Sequence, residues 1–230
     1  MAKPLIQVAL DSLDYEQTLA LARQAAPYVD IIEIGTPCLK VNGLGIVKAM
    51  KAQHPDKILF VDLKTMDAGY YEAEPFFKAG ADITTVLGTA DIGTIKGVVD
   101  VANAYGKQAQ VDLINVEDKA ARAKEAVAVG AHIIGIHTGI DQQLAGHTPF
   151  SDLADLVALG LNVKVSVAGG IKQSTVQQVV QAGPSIIVVG GAITGSKAAD
   201  VAAREIRDLV DGAAGTSGGG LFGWLKSLFS

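Results

Sequence analysis

Asp62, Lys64 and Asp67 set an ammonium between two carboxylates in the short stretch DLKTMD. If that stretch is a strand, side chains two residues apart share a face, so Asp62 and Lys64 point to the same side. An ammonium beside carboxylates stays charged and can stabilise an oxyanion developing next to it. A Schiff-base role for Lys64 would need a lowered pKa, which Asp62 and Asp67 oppose. Glu33 lies inside the apolar run VDIIEIG, where a carboxylate needs a partner. Together Glu33 and Asp62 offer the hard oxygen donors that suit Mg²⁺, which leaves other positions to water and substrate oxygens. The competing reading is that one of the two simply pairs with Lys64. His137, in HIIGIHTG, is a candidate for proton transfer near neutral pH. His54, His132 and His147 stand before a proline, at a strand start and in GHTPF, where a loop or surface role is expected. Asp11 and Asp112 suit either a helix cap or a substrate hydroxyl. The pairs Gly169-Gly170 and Gly190-Gly191 leave backbone N–H groups unshielded by a Cβ, an arrangement that cradles phosphate.

These groups need a scaffold, and the chain supplies a regular one. Short β-branched apolar runs open near Leu5, Val29, Ile58, Asp82, Gln108, His132, Val163 and Ile186. Each is near-continuous in Val, Ile and Leu, the pattern of parallel strands covered on both faces. Amphipathic segments lie between them: Tyr15 to Ala26, Gly43 to Gln53, Ile92 to Tyr105, Lys119 to Val129, Thr175 to Ala182 and Ala198 to Val210. Strand starts recur roughly every 23 to 31 residues, the size of a βαβ unit. The first strand ends in Ala9-Leu10-Asp11-Ser12, without the glycine-rich loop of a dinucleotide-binding sheet. The spacing therefore predicts an α/β fold, a (β/α)8 TIM barrel over residues 1–212. Pro75, in EAEPFFKAG, is expected to start or kink the third helix. In such a barrel the active site forms at the carboxyl ends of the strands, which is where Asp11, Glu33, Asp62, Lys64, Asp112, His137 and the glycine pairs fall.

Composition narrows the function classes. The chain has 230 residues, 49% hydrophobic, and a formal net charge of −5, so the basic face that nucleic-acid binding requires has little to draw on. Cys38 is the single cysteine and cannot form an internal disulfide, and the start MAKPLIQVALD has no secretory pattern, so a cytoplasmic protein is expected. No apolar run approaches the roughly 18 residues that span a bilayer.

The D-x-K-x-x-D motif of Asp62, Lys64 and Asp67, with Asp11, Glu33, His137 and the two glycine pairs, resembles the orotidine 5′-phosphate decarboxylase superfamily. The stretches VDIIEIGTP, VDLKTMDAG, GADITTVLG, QVDLIN, HTGIDQQ and VAGGIK resemble its 3-hexulose-6-phosphate synthase family, over about residues 5 to 210. The resemblance implies an aldehyde-lyase that adds formaldehyde to D-ribulose 5-phosphate with Mg²⁺ held by Glu33 and Asp62. It assigns catalysis to Lys64, Asp62, His137 and Asp67, with Asp67 reaching into the neighbouring subunit of a homodimer. Substrate binding falls to Asp11, Asp112, Gly169, Gly170, Gly190 and Gly191, and a hexuloisomerase is the implied pathway partner. The 3-keto-L-gulonate-6-phosphate decarboxylase family shares the pattern but carries Glu at the position of Asp112 and Arg at that of Ile140, so both positions favour the synthase. A phosphate-binding barrel without catalysis is the third reading.

Past the last helix the composition shifts to GAAGTSGGG, read as a flexible linker over residues 213–220. In residues 221–230, Leu221, Phe222, Trp224, Leu225, Leu228 and Phe229 fall on one face of a short helix. So short a helix barely forms alone. It is expected to dock on a partner or assembly, with packing on its own barrel and a membrane surface as alternatives; one lysine and no basic face disfavour the membrane.

Overall fold

In the computed structural model, residues 3–216 are described, and they alternate strand and helix. The strands are β1 (Leu5–Leu10), β2 (Ile31–Ile34), β3 (Ile58–Thr65), β4 (Ile83–Leu87), β5 (Gln108–Asp112), β6 (Ile133–His137), β7 (Lys164–Ala168) and β8 (Ile186–Val189). The helices are α1 (Tyr15–Ala25), α2 (Thr36–Gln53), α3 (Gly69–Ala79), α4 (Ile92–Ala104), α5 (Lys119–Ala128), α6 (Ile140–Leu144), α7 (Phe150–Ala158), α8 (Val176–Ala182), α9 (Gly191–Thr194) and α10 (Ala199–Thr216). Every strand pairs in parallel with the next, and β8 returns to β1, closing the (β/α)8 barrel that the sequence predicts.

Aspartates start several helices, each accepting a backbone N–H of the first turn: Asp14 from Gln17 at 2.7 Å, Asp91 from Gly93 at 2.7 Å and Asp118 from Ala121 at 2.9 Å. Asp11 and Asp112 are thereby released from capping, because other aspartates a few residues further on perform it. Between strands and helices, buried Val, Ile, Leu and Ala side chains form the main core. A smaller apolar layer of Ile31, Phe60, Ile83, Ile133, Ile186 and Val188 plugs the barrel interior. Burying each such side chain contributes about 1.5–3 kcal/mol. Toward the amino ends of the strands a quarter-turn pattern repeats. The side chain just before each even-numbered strand accepts a backbone N–H from the preceding strand: Asp30 from Ile6 at 2.8 Å, Asp82 from Leu59 at 2.9 Å, His132 from Ala109 at 3.1 Å and Ser185 from Val165 at 3.3 Å.

Three local expectations change. Pro75 neither begins nor ends α3; the helix starts at Gly69 and runs through it. The carbonyl that loses its partner belongs to Tyr71, a residue 84% exposed, so it lies toward water instead of core. The second helix begins earlier than Gly43: α2 opens at Thr36 and breaks at Gly43, whose φ of 57° and ψ of −147° are not helical. Finally, α10 continues to Thr216, through the first residues of the stretch read as linker, with Ala213 buried. The remainder of that stretch and the amphipathic segment 221–230 lie outside the described residues. Among the described residues no helix is long and apolar enough to cross a membrane.

Candidate active site

The carboxyl ends of the strands open onto a cavity of about 760 Å³ lined by Asp11, Glu33, Asp62, Lys64, Asp112, His137, Gly169, Gly170, Gly190 and Gly191. Register accounts for the convergence. Ala9 pairs with Glu33 and Glu33 with Phe60, while Leu87 pairs with Asp112, Asp112 with Gly135 and His137 with Ala168. Side chains alternate along each strand, so these residues and those two positions from them face the barrel interior. Asp67 is the exception among the expected residues: it is exposed, outside the cavity lining, and accepts the N–H of Ala68 at 2.7 Å.

Lys64 stands at the centre of the ionic network. Its Nζ lies 2.6 Å from Asp62 Oδ2 and 3.2 Å from Asp112 Oδ2. Burial alone would lower the Lys64 pKa, but Asp62 and Asp112 outweigh it and hold the ammonium charged. That argues against a Schiff-base lysine, although the opposing charge comes from Asp112 and not from Asp67 as the sequence suggests. Asp112, 2% exposed, also meets His137 Nδ1 at 2.9 Å through Oδ2 and accepts the N–H of Ile114 at 2.9 Å through Oδ1. Burial pushes its carboxyl up, yet the His137 bond, the His137 and Lys64 charges and the Ile114 N–H hold it below the usual range. Ionised Asp112 can only accept, so His137 carries a proton on Nδ1, and Nε2 is the nitrogen turned away from Asp112. Both Asp112 oxygens are engaged by protein, so it can orient His137 and Lys64.

Glu33 and Asp62 are each 7% exposed. Burial and the Asp62 charge drive the Glu33 carboxyl well above its ordinary value, against a 2.6 Å bond donated by Gln7 Nε2. Asp11 faces the cavity mouth, and burial with the Asp62 charge raises it too, offset by Lys64 and His137. Gly35 keeps room for it, since a Cβ there would stand 2.0 Å from Asp11 Oδ1. This excess of negative charge is the feature a divalent cation would relieve. Among the described residues no three His, Cys, Asp or Glu side chains form a ready-made metal cage. The set thus fits an ion that takes one or two carboxylates and fills its shell with water and substrate oxygens, as Mg²⁺ does.

At the opposite rim, Gly169 has φ of 116° and packs so closely that a Cβ would lie 2.5 Å from the Thr138 carbonyl oxygen, while a Cβ on Gly191 would meet open space. The first glycine is thus fixed by its turn, and the second leaves backbone that an anion can approach. Lys172 lines this end as well; it and Lys64 are the lysine and arginine side chains in the lining. Sequence reading passed over Lys172, Gln7, Thr36 and Thr85. Thr36 donates to Asp62 Oδ2 at 2.9 Å and Thr85 to Asp62 Oδ1 at 2.7 Å. The available signal was position: Gln7 and Thr85 are polar residues at inward-facing places of apolar strands.

The Orotidine 5′-phosphate decarboxylase / HUMPS family matches residues 4–206. The 3-hexulose-6-phosphate synthase of Methylomonas aminofaciens is 63% identical over 205 residues, covering 89% of this chain and 98% of that protein. A crystal structure of 3-hexulose-6-phosphate synthase from Salmonella typhimurium superposes with a TM-score of 0.89 at 38% identity, over 91% of this chain and 99% of that one. A 3-keto-L-gulonate-6-phosphate decarboxylase from Vibrio cholerae is similar at 31% identity and a TM-score of 0.79, over 91% of this chain and 98% of that one.

Proposed function

The chain belongs to the Orotidine 5′-phosphate decarboxylase / HUMPS family, and from that premise we propose that it is an aldolase acting as a 3-hexulose-6-phosphate synthase in the cytoplasm, joining formaldehyde to D-ribulose 5-phosphate to give D-arabino-hex-3-ulose 6-phosphate. The carrying observation is the network of Asp62, Lys64, Asp112 and His137 lining one cavity together with Glu33. Asp112 orients His137 so that Nε2 removes a proton from C1 of ribulose 5-phosphate. The Lys64 ammonium stabilises the enediolate oxygen as charge develops. The carbanionic C1 then forms its bond to the formaldehyde carbon, and the resulting alkoxide takes up a proton in the site. Glu33 and Asp62 would hold Mg²⁺, whose chemistry there is that of a Lewis acid toward the substrate carbonyl. Gly169, Gly170, Gly190 and Gly191 offer backbone N–H groups to the phosphate, with the Lys172 ammonium beside them. Asp11 is left to a substrate hydroxyl.

Asp67 acts, in this reading, in the site of a second copy. Its exposure is shared by the neighbouring Met66, Tyr70 and Tyr71, which give the turn after β3 an apolar surface suited to a subunit contact. The segment 221–230 is assigned to docking on a partner or assembly, apart from catalysis. Loss of formaldehyde in the presence of ribulose 5-phosphate, with Mg²⁺ and then with a chelator, tests the whole reading. A protein that consumes no formaldehyde under saturating Mg²⁺ is a phosphate-binding barrel instead, and one that decarboxylates 3-keto-L-gulonate 6-phosphate faster than it condenses formaldehyde is the sister enzyme.

A further inference from the structure

Lys64 has a positive φ of 48°, a left-handed conformation that a side-chain-bearing residue holds only when its surroundings enforce it. The β3–β4 register also shifts between Val61 and Thr65, so the Lys64 amide leaves the regular ladder. That amide donates instead to Thr85 Oγ1 at 2.8 Å. The same hydroxyl gives its one hydrogen to Asp62 Oδ1 at 2.7 Å. Asp62 Oδ2 in turn takes the Lys64 ammonium at 2.6 Å. A closed ring results, running from the Lys64 backbone through Thr85 and Asp62 to the Lys64 side chain. Thr85 is 1% exposed, which leaves water little access to replace it.

The neighbouring threonine provides an internal contrast. Thr84 is equally buried on β4, but it faces outward and its hydroxyl has no partner among the described residues. A β-branched residue suffices at Thr84 for packing, whereas at Thr85 the hydroxyl itself is used.

We propose that Thr85 is a positioning residue of the active site: its hydroxyl clamps the bulged end of β3 and thereby sets both the backbone of Lys64 and the carboxylate of Asp62. The inference relies on the proposed function for its kinetic readout only. Thr85→Val, Thr85→Ser and Thr84→Val are compared for turnover of formaldehyde with ribulose 5-phosphate and by crystal structure. Misplacing a reacting group by about 1 Å can cost 10²-fold, so Thr85→Val should lower kcat by about tenfold to a hundredfold. The KM for ribulose 5-phosphate should stay close to wild type, since the glycine pairs are untouched. Thr85→Ser should recover most of the loss, and Thr84→Val should turn over normally. In the crystals, Lys64 should keep positive φ in Thr85→Ser and relax to negative φ in Thr85→Val. Wild-type kcat in Thr85→Val, positive φ retained there, or a Thr85→Ser variant as slow as Thr85→Val overturns the proposal. If Thr85→Val does not fold, Thr85→Ala against Thr85→Ser makes the same comparison. A wild-type protein without turnover counts against the proposed function alone, because the φ comparison still decides the clamp.

Discussion

Glu33 illustrates how a residue can be costly to the fold and yet, under the proposed function, needed by the site. Its buried carboxylate sits beside Asp62, and burial with that like charge raises its pKa far above the ordinary carboxylate value. Keeping it ionised at neutral pH therefore opposes folding, and a bound cation offsets the opposition. Glu33→Gln should melt above the wild type without metal, lose the upward shift of Tm that Mg²⁺ gives the wild type, and turn over at least about 10²-fold more slowly. Calorimetry with and without Mg²⁺ reads the first two effects; an unchanged metal-induced shift in the variant would remove Glu33 from the metal site. His137 carries the second expectation. Replacing it by Asn should slow exchange of the C1 proton of ribulose 5-phosphate with solvent by about 10²- to 10⁴-fold, even without formaldehyde. Deuterium entering at the normal rate would assign the base elsewhere. Both residues were legible in sequence because a charge or an imidazole ending an apolar strand is conspicuous. Asp112 was legible as a position, while its side-chain partners were not. Its attachment to His137 and Lys64 joins residues 25 and 48 positions apart, and chain spacing does not show which of the possible neighbours it meets.

The strands were readable because each is buried on both faces and so written in Val, Ile and Leu, and their order followed from alternation with helices. Elements whose form depends on context were less so. Thr36–Asn42 is short and ends at Gly43, so that Pro37 in its first turn is its one local sign, and Pro75 lies inside α3 without ending it. His132, read as a surface or loop histidine, stands in the bend before β6, half-buried, where Nδ1 accepts the Ala109 N–H and Nε2 meets Asn103 Oδ1 at 3.1 Å. Accepting through Nδ1 requires the neutral ring. Burial, and secondarily the charge of Lys164, hold its pKa below the usual histidine value. The folded state thus binds fewer protons than the unfolded state. The stabilisation is fully present above the unfolded pKa of about 6.5 and is lost as pH falls from there through the depressed folded value. His54, lowered chiefly by burial, adds to the trend with the same sign. Thermal melts from about pH 7.5 to 5 should fall toward acid, and His132→Asn should flatten that fall. An unaltered slope in the variant would show that the titration of His132 is not linked to folding.

At the scale of the whole molecule, the barrel was legible from periodicity, whereas nothing in one chain's spacing states how many copies make a working site. The geometry bears on that question through Asp67. It belongs to the same short motif as Asp62 and Lys64, yet the turn after β3 carries it out of its own cavity onto an exposed rim beside Met66, Tyr70 and Tyr71. A two-fold contact uses the same patch on both subunits, so a rim residue of one copy can face the cavity of the other, and the reverse. Asp67→Asn and His137→Asn should then each abolish turnover in a pure dimer. Mixed by unfolding and refolding together in equal amounts, they should recover about a quarter of wild-type activity, because half the dimers are hybrids and each hybrid has one site free of both substitutions. Sedimentation confirms that the mixture is dimeric. If Asp67 serves its own chain, no hybrid site is whole and activity stays at the level of the single variants. Recovery near a quarter places Asp67 across the interface, and its absence in a confirmed mixed dimer refutes the shared site.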